Sequence, residues 1–301
     1  MSNIIINDRY VLRNQIGHGG FSKVFSAFDK ISNKDVAIKI LNIDINENNK
    51  NYAMFNQEAM TLAAIINKNV VKVYESNVWE GKPILVMEYV RGKSLRSIIN
   101  EQSYLLIEEV YLYTTQILNG LESIHNAGVV HRDIKPQNII KKIDGTSVLI
   151  DFGTAMIQEE DKNLYVEESG NTIGTVQYMA PEILLNNKSF SNQSDIYALG
   201  ITLYEMFTGK FPFNSTNPAN KKEIALMHIH AEFPSVRKLN PQVPVEFENI
   251  IYKCCEKDLT KRYKNINEIK IDLFNAYNAY KNPVKEKQGF LQRLFKKKGK
   301  K

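Results

Sequence analysis

Three side chains, the outer two 18 positions apart, could do phosphoryl chemistry together: Asp133, Asn138 and Asp151. Asp133 and Asn138 lie in the polar cluster His131-Arg132-Asp133-Ile134-Lys135-Pro136-Gln137-Asn138, and Asp151 opens Asp151-Phe152-Gly153. Between them run two apolar, strand-like stretches around an Asp144-Gly145 turn, the pattern of a β-hairpin. Such a hairpin holds two carboxylates and one amide at one end of a small sheet. One carboxylate can orient a hydroxyl and take its proton, while the other, with the amide, supplies hard oxygen ligands for Mg²⁺ beside a phosphate. Lys135, two residues after Asp133, can place a positive charge on the transferring group.

The elements needed to position these groups are spread over most of the chain. Residues 10 to 41 read as strands around Gly17-His18-Gly19-Gly20-Phe21-Ser22, where glycines would let backbone N–H groups approach phosphate oxygens. Val36-Ala37-Ile38-Lys39 follows, and 52 to 66 has helical spacing around Glu58. Strands are expected at 70–74 and 84–88 with a turn at 80–83, then helices at 95–100 and 107–126, the second closing at Ala127-Gly128. A polar, acidic segment from 154 to 179 has no sustained period and reads as a functional loop. Residues 195 to 208 are apolar nearly all round, as in a buried helix, and further helices are expected near 221–231, 245–256 and 266–280.

Taken together these stretches resemble the protein kinase family, and in particular the bacterial eukaryotic-like (Hanks-type) serine/threonine kinases. The resemblance implies an α+β, bilobal fold over about residues 8–280. A small antiparallel β-rich lobe with one helix spans about 8–88, a hinge 88–91, and a larger, mainly helical lobe about 92–280. It implies that Asp133, Lys135 and Lys39 are catalytic, that Lys39 pairs with Glu58, and that Asn138 and Asp151 hold the metal. Ile16, Gly17, His18, Gly19, Gly20, Phe21, Ser22, Val24, Ala37, Lys39, Glu58, Met87, Glu88 and Val90 would form the nucleotide pocket, with backbone groups of Glu88 and Val90 facing adenine. Ser22 stands where the family has its third loop glycine. Thr172 and Thr175 are the phosphosite expectations, Thr172 the regulatory one, with Arg132 as the cation awaiting it. Asp195 would receive backbone N–H groups of the catalytic loop, and Arg262 would pair with Glu182 of Ala180-Pro181-Glu182. ATP and Mg²⁺, with Mn²⁺ as substitute, are the implied cofactors, and protein Ser/Thr hydroxyls the acceptors, with a kinase dimer for autophosphorylation. A pseudokinase scaffold would lack a catalytic residue, and none is lost. A small-molecule kinase on the same fold is disfavoured by the long loop and Ala180-Pro181-Glu182.

Composition bounds the partners. With 43% hydrophobic and 24% charged residues the 301-residue chain reads as globular, with no apolar run of about 18 that would span a bilayer. Met1 to Ile4 has no cationic segment ahead of an apolar one, so no signal peptide is expected, and Cys254 and Cys255 read as reduced packing residues of a cytoplasmic domain. The net charge of +6 is unevenly placed. From Lys281 to Lys301 nine Lys or Arg stand against one Glu, a net +8, so the preceding 280 residues carry 30 basic and 32 acidic groups, a net −2. That is the reverse of a nucleic-acid-binding body. In the tail, 281–301, Phe290, Leu291, Leu294 and Phe295 would share one helical face ringed by cations. This end reads as an anchor to an anionic membrane surface or an acidic partner, or as a solvated tail.

Overall fold

A computed structural model of the chain describes residues 4–19, 22–42, 50–151, 176–185, 190–215 and 220–283; at residues 19, 50–54 and 58 it describes the backbone alone. The first lobe is a six-stranded antiparallel sheet of β1 (Ile5–Ile6), β2 (Tyr10–Gly19), β3 (Ser22–Asp29), β4 (Lys34–Leu41), β5 (Val73–Trp79) and β6 (Lys82–Glu88), in the order β1-β2-β3-β4-β6-β5. One helix, α1 (Lys50–Ala64), lies between β4 and β5 in the chain. Successive strand residues face opposite sides, and the sheet uses both. Val36, Ile38, Ile84 and Val86 join Ile6, Tyr10, Leu12 and Ala27 in a small outer cluster, whereas Ala37, Leu41, Leu85 and Met87 join the main core. Lys39, on the inner side of β4, is 2% exposed.

β5 begins three residues later than the pattern at 70–74 suggests, because Val70 and Val71 belong to the other lobe. Val71 N donates to Leu149 O at 2.9 Å, and Val70 forms a parallel bridge with Leu149. The turn is also tighter than expected. Glu80 and Gly81 both have positive φ (50° and 73°), the signature of a two-residue hairpin, and Pro83 already pairs with Val78 inside the sheet. Pro83 is tolerated because β4 pairing starts only at Ile84.

The second lobe comprises α2 (Leu95–Gln102), α3 (Ile107–Asn126), α4 (Pro181–Leu184), α5 (Asn192–Thr208), α6 (Lys221–His230), α7 (Val245–Cys254) and α8 (Ile266–Lys281). A second, three-stranded sheet, β7 (Gly92–Ser94), β8 (Ile139–Lys142) and β9 (Ser147–Leu149), contains the hairpin expected around Gly145. β7 and α4 have no counterpart in the sequence reading. α5 is buried on nearly every side and forms the axis of the lobe. It stops at Gly209, whose φ of +66° suits glycine, and a Cβ there would lie 1.8 Å from Ser103 O. Cys254 and Cys255 are buried and unbridged.

An amide clip joins the lobes. Asn69 Nδ2 donates to Ser147 O and Leu149 N donates to Asn69 O, both at 2.8 Å. Asn67 Nδ2 reaches Asn119 O (3.0 Å) and Ser123 Oγ (2.6 Å) on α3. The approach is close enough that a Cβ on Gly120 would meet Asn69 O at 2.8 Å. Among the described residues no helix is long and apolar enough to cross a membrane.

Candidate active site

The site forms where the two sheets face each other. On the first sheet the register sets Val24 opposite Lys39, Lys39 opposite Leu85, and Ala37 opposite Met87. Four of the residues expected to line a nucleotide pocket, Val24, Ala37, Lys39 and Met87, therefore share one face. Ile16 is exposed on β2, next to Gly17, which pairs with Val24. His18 and Ser22 flank the hairpin tip, paired with Lys23 and Gly19. Gly20 and Phe21 lie outside the described residues. Beyond Met87, Glu88 N donates to Lys72 O at 2.8 Å, so this amide is committed within the protein. Lys142 Nζ meets the Glu88 carboxylate at 3.3 Å.

On the second sheet the short 3-10 turn Pro136–Asn138 leads straight into β8. Asn138 Nδ2 donates to Asp133 O at 3.0 Å and to Asp133 Oδ2 at 2.7 Å, and Lys135 Nζ lies 2.7 Å from the same carboxylate oxygen. Ile150 N donates to Asn138 O at 2.9 Å, which sets Asp151 at the end of the hairpin beside this cluster. Lys39 Nζ crosses from the first lobe to form an ion pair with Asp151. Burial alone would raise the Asp151 carboxyl, but the charge and hydrogen bond of Lys39 outweigh it and hold the group below its ordinary range. Glu58, the partner expected for Lys39, lies on α1 with its side chain outside the described residues.

Two residues here adopt left-handed backbone without being glycine: Arg132 (φ 68°) and Asp151 (φ 65°). Each such residue costs on the order of 1 kcal/mol or more and persists only where its surroundings over-determine it. For Arg132 the constraint is visible. Asp195, 1% exposed on the first turn of α5, accepts His131 N and Arg132 N at 2.8 Å each and contacts His125 Nε2 at 2.9 Å. Farther out, Arg262 donates to both carboxylate oxygens of Glu182 at 2.7 and 3.0 Å.

A third arrangement went unread in the sequence. Tyr178 Oη donates to Glu205 Oε2 at 2.6 Å, Arg96 Nη2 donates to Tyr178 Oη at 2.9 Å, and Arg96 forms an ion pair with Glu205. This ties the 3-10 turn Val176–Tyr178 to α2 and α5. Glu205 as the one carboxylate inside an otherwise apolar run, Ile196 to Phe207, was the available signal. Thr172 and Thr175 lie outside the described residues.

Comparison with known proteins agrees with this arrangement. A family model described as the protein kinase domain matches residues 10–274. The chain is 35% identical to a probable serine/threonine-protein kinase of Clostridium acetobutylicum, over 95% of this chain and 42% of that protein. It is 34% identical to the probable serine/threonine-protein kinase PknB of Lactococcus lactis, over 89% and 42%, and 35% identical to the serine/threonine-protein kinase PrkC of Bacillus subtilis, over 91% and 41%. The chain thus spans about two fifths of the length of these relatives. A β-sheet lobe and a helical lobe facing each other across Lys39, Asp133, Asn138 and Asp151, with a family match over most of the chain, lead to one conclusion: this chain belongs to the protein kinase domain family.

Proposed function

We propose that this chain is a serine/threonine protein kinase that transfers the γ-phosphoryl group of ATP to protein Ser or Thr hydroxyls. The observation that carries the reading is that the Lys39–Asp151 pair, which joins the lobes, stands beside the Asp133–Lys135–Asn138 cluster, the two held together by the Ile150 N to Asn138 O bond. The donor set suits the cofactor. Among the described residues no three His, Cys, Asp or Glu gather as a metal cage. Asp151 and Asn138 offer two hard oxygen ligands, which matches a cation that keeps waters and phosphate oxygens as its remaining ligands. Mg²⁺ is the cation favoured, with Mn²⁺ as substitute. Bound Mg-ATP supplies the phosphoryl group and the cation that neutralises its charge.

The chain's own residues do the rest. Asp133 orients the acceptor hydroxyl and takes its proton, and Lys135, already 2.7 Å from that carboxylate, adds a positive charge over the transferred group. Lys39 holds phosphate oxygens, and its contact with Asp151 keeps that ligand ionised. Asp195 fixes the loop between His131 and Asp133 so that Asp133 needs no reorganisation. At the hinge, the committed Glu88 amide leaves the Glu88 carbonyl and the Val90 backbone to meet adenine.

Regulation and location extend the same reading. Thr172 is the favoured autophosphorylation site, acting in trans within a kinase dimer, because phosphothreonine brings roughly −2 charge to pair with a cation such as Arg132. Residues 289–301 attach the domain to the anionic cytoplasmic face of a membrane. Arg293, Lys296, Lys297, Lys298, Lys300 and Lys301 supply about 1 kcal/mol each near such a surface. The test of the activity is incubation with Mg-ATP followed by mapping of incorporated phosphate. Phosphate on Ser or Thr, including residues 154–179, is expected, and Thr172→Ala should lower the rate. No incorporation into the chain or into a generic basic protein would sink the proposal.

A further inference from the structure

The seam between α3 and the end of α8 carries an exposed aromatic and apolar patch, placed where the basic tail leaves the domain. Tyr111 and Tyr277 stack face to face with centroids 3.7 Å apart and planes within 4°. Tyr280 Oη (3.2 Å) and Lys281 Nζ (2.6 Å) both reach Glu108 Oε1, and Lys281 Nζ lies 5.6 and 5.4 Å from the rings of Tyr277 and Tyr280. At the other end of the seam Lys270 pairs with Glu122 at 2.6 Å. On α3, Tyr111 and Leu112 each lie one turn from Glu108, and on α8 Phe274 lies one turn from Tyr277, so Leu112 and Phe274 sit on the outer rim of the seam. Both are open to solvent, at 48% and 57%, as are Leu106 and Ile271 at 61% and 60%.

Large apolar side chains grouped this way mark a surface that meets something. Tyr111, Tyr277 and Tyr280 are half-buried, with the Lys281 stem beside two of them, and amphipathic side chains of this kind settle at the boundary of lipid and water. The patch itself is near neutral, because Glu108 meets the Lys281 charge. The attraction to a surface must come from elsewhere, and it follows in the chain: residues 284–301 carry eight Lys or Arg against one Glu. Six residues lie between Pro283 and Phe290, seven steps along the chain and a reach of about 25 Å at full extension. A tail held on an anionic surface therefore keeps this end of the second lobe close to it. Ile31, also exposed, lies in the turn between β3 and β4 of the first lobe and is no part of this seam.

We infer that the patch formed by Leu112, Tyr111, Phe274, Tyr277 and Tyr280 is the face on which the kinase domain lies against an anionic membrane, the tail supplying charge and the patch an apolar contact. This rests on the membrane reading of the tail. It adds an orientation: α8 and the start of α3 face the lipid while the sheet lobe and the cleft face away, open to protein acceptors.

The test uses full chains carrying a single added cysteine, Leu112→Cys, Phe274→Cys or, as the control, Ile31→Cys, labelled with a polarity-sensitive fluorophore. Cys254 and Cys255 do not compete, being buried, with burial pushing the Cys254 thiol up to about 12. With vesicles containing phosphatidylserine and a lipid-borne quencher at low salt, labels at 112 and 274 should shift to the blue and be quenched. The label at 31 should not change, and high salt should reverse the effect. If the chain cosediments with these vesicles while 112 and 274 stay as water-exposed as 31, the patch is not the membrane face and the tail reading alone survives. If the chain does not cosediment even at low salt, the tail reading falls and this orientation with it. If labels at 112 and 274 are shielded without lipid, and become exposed when the chain is cut after Gln288, the tail itself covers the patch and the lipid assignment is wrong.

Discussion

Glu182→Ala should destabilise the protein far more than an ordinary surface substitution, and the structure gives the size. The Arg262 side chain is fully buried and Glu182 nearly so. Their two hydrogen bonds are joined by Arg262 Nε to Glu256 O at 2.8 Å and Nη1 to Gln193 O at 2.9 Å, with the guanidinium 5.0 Å from the Tyr197 ring centre. Removing the carboxylate leaves a buried cation facing two carbonyls and an aromatic ring with no counter-charge, which costs about 3–5 kcal/mol. Arg262→Met leaves the opposite charge stranded and should cost a similar amount. Replacing both removes both charges, so the double variant should lose clearly less than the sum of the singles. Against a total stability of about 5–15 kcal/mol, either single change would consume a large share. Urea unfolding followed by far-ultraviolet circular dichroism measures all four proteins, with an unchanged slope confirming that only stability moved. Single losses below about 1 kcal/mol, or strictly additive losses, would refute the reasoning that a desolvated pair holds α4 to the segment after α7.

Gly209→Ala should be among the most damaging single-methyl changes in the second lobe, since it meets both the left-handed φ and Ser103 O at 1.8 Å; a melting temperature within a degree of the parent would contradict this. His228 carries a pH dependence. Its Nδ1 shares a hydrogen bond with Tyr197 Oη (2.8 Å), and burial holds the ring down to about 3 from 6.5. The unfolded chain therefore binds a proton below 6.5 that the folded one refuses. The stability this neutral ring contributes is full above 6.5 and falls by about 1.4 kcal/mol per pH unit as pH drops toward 3. His228→Gln should flatten the loss of stability between pH 6.5 and 5 by roughly 2 kcal/mol, read from melts at the two values; parallel profiles would show that the ring titrates normally.

Much of the candidate site's placement was legible because its residues are fixed by local chemistry. The Asp144-Gly145 turn allows one hairpin, and strand alternation alone sends Lys39 and Ala37 to the face away from Val36 and Ile38. Asp195 shows where that legibility ends. An Asp at a helix start is explained by the helix dipole, and only the fold reveals that it accepts two amides from 63 and 64 residues earlier. The Val70–Val71 stretch misled for the same reason. Two β-branched residues look like a strand, but their backbone partners lie on β9, and no local pattern encodes a bond between residues 71 and 149. β7 was invisible because Gly92-Lys93-Ser94 has no β propensity and pairs only because β8 offers an edge. Arg96, Tyr178 and Glu205 stand alone in sequence and acquire meaning only as a triad.

The most direct test of the central claim is the rate of γ-phosphoryl transfer from Mg-ATP to a generic basic protein by the parent chain and by Asp133→Asn, with equal melting temperatures and nucleotide affinities verified first. Asp133 accepts Asn138 Nδ2 and Lys135, contacts that an asparagine oxygen can partly keep, so the fold should hold while the proton acceptor is lost. A fall of about 10²–10⁴ in rate at unchanged nucleotide affinity is the predicted result. Transfer at the parent rate by folded Asp133→Asn would contradict the assignment of this cluster as the catalytic centre.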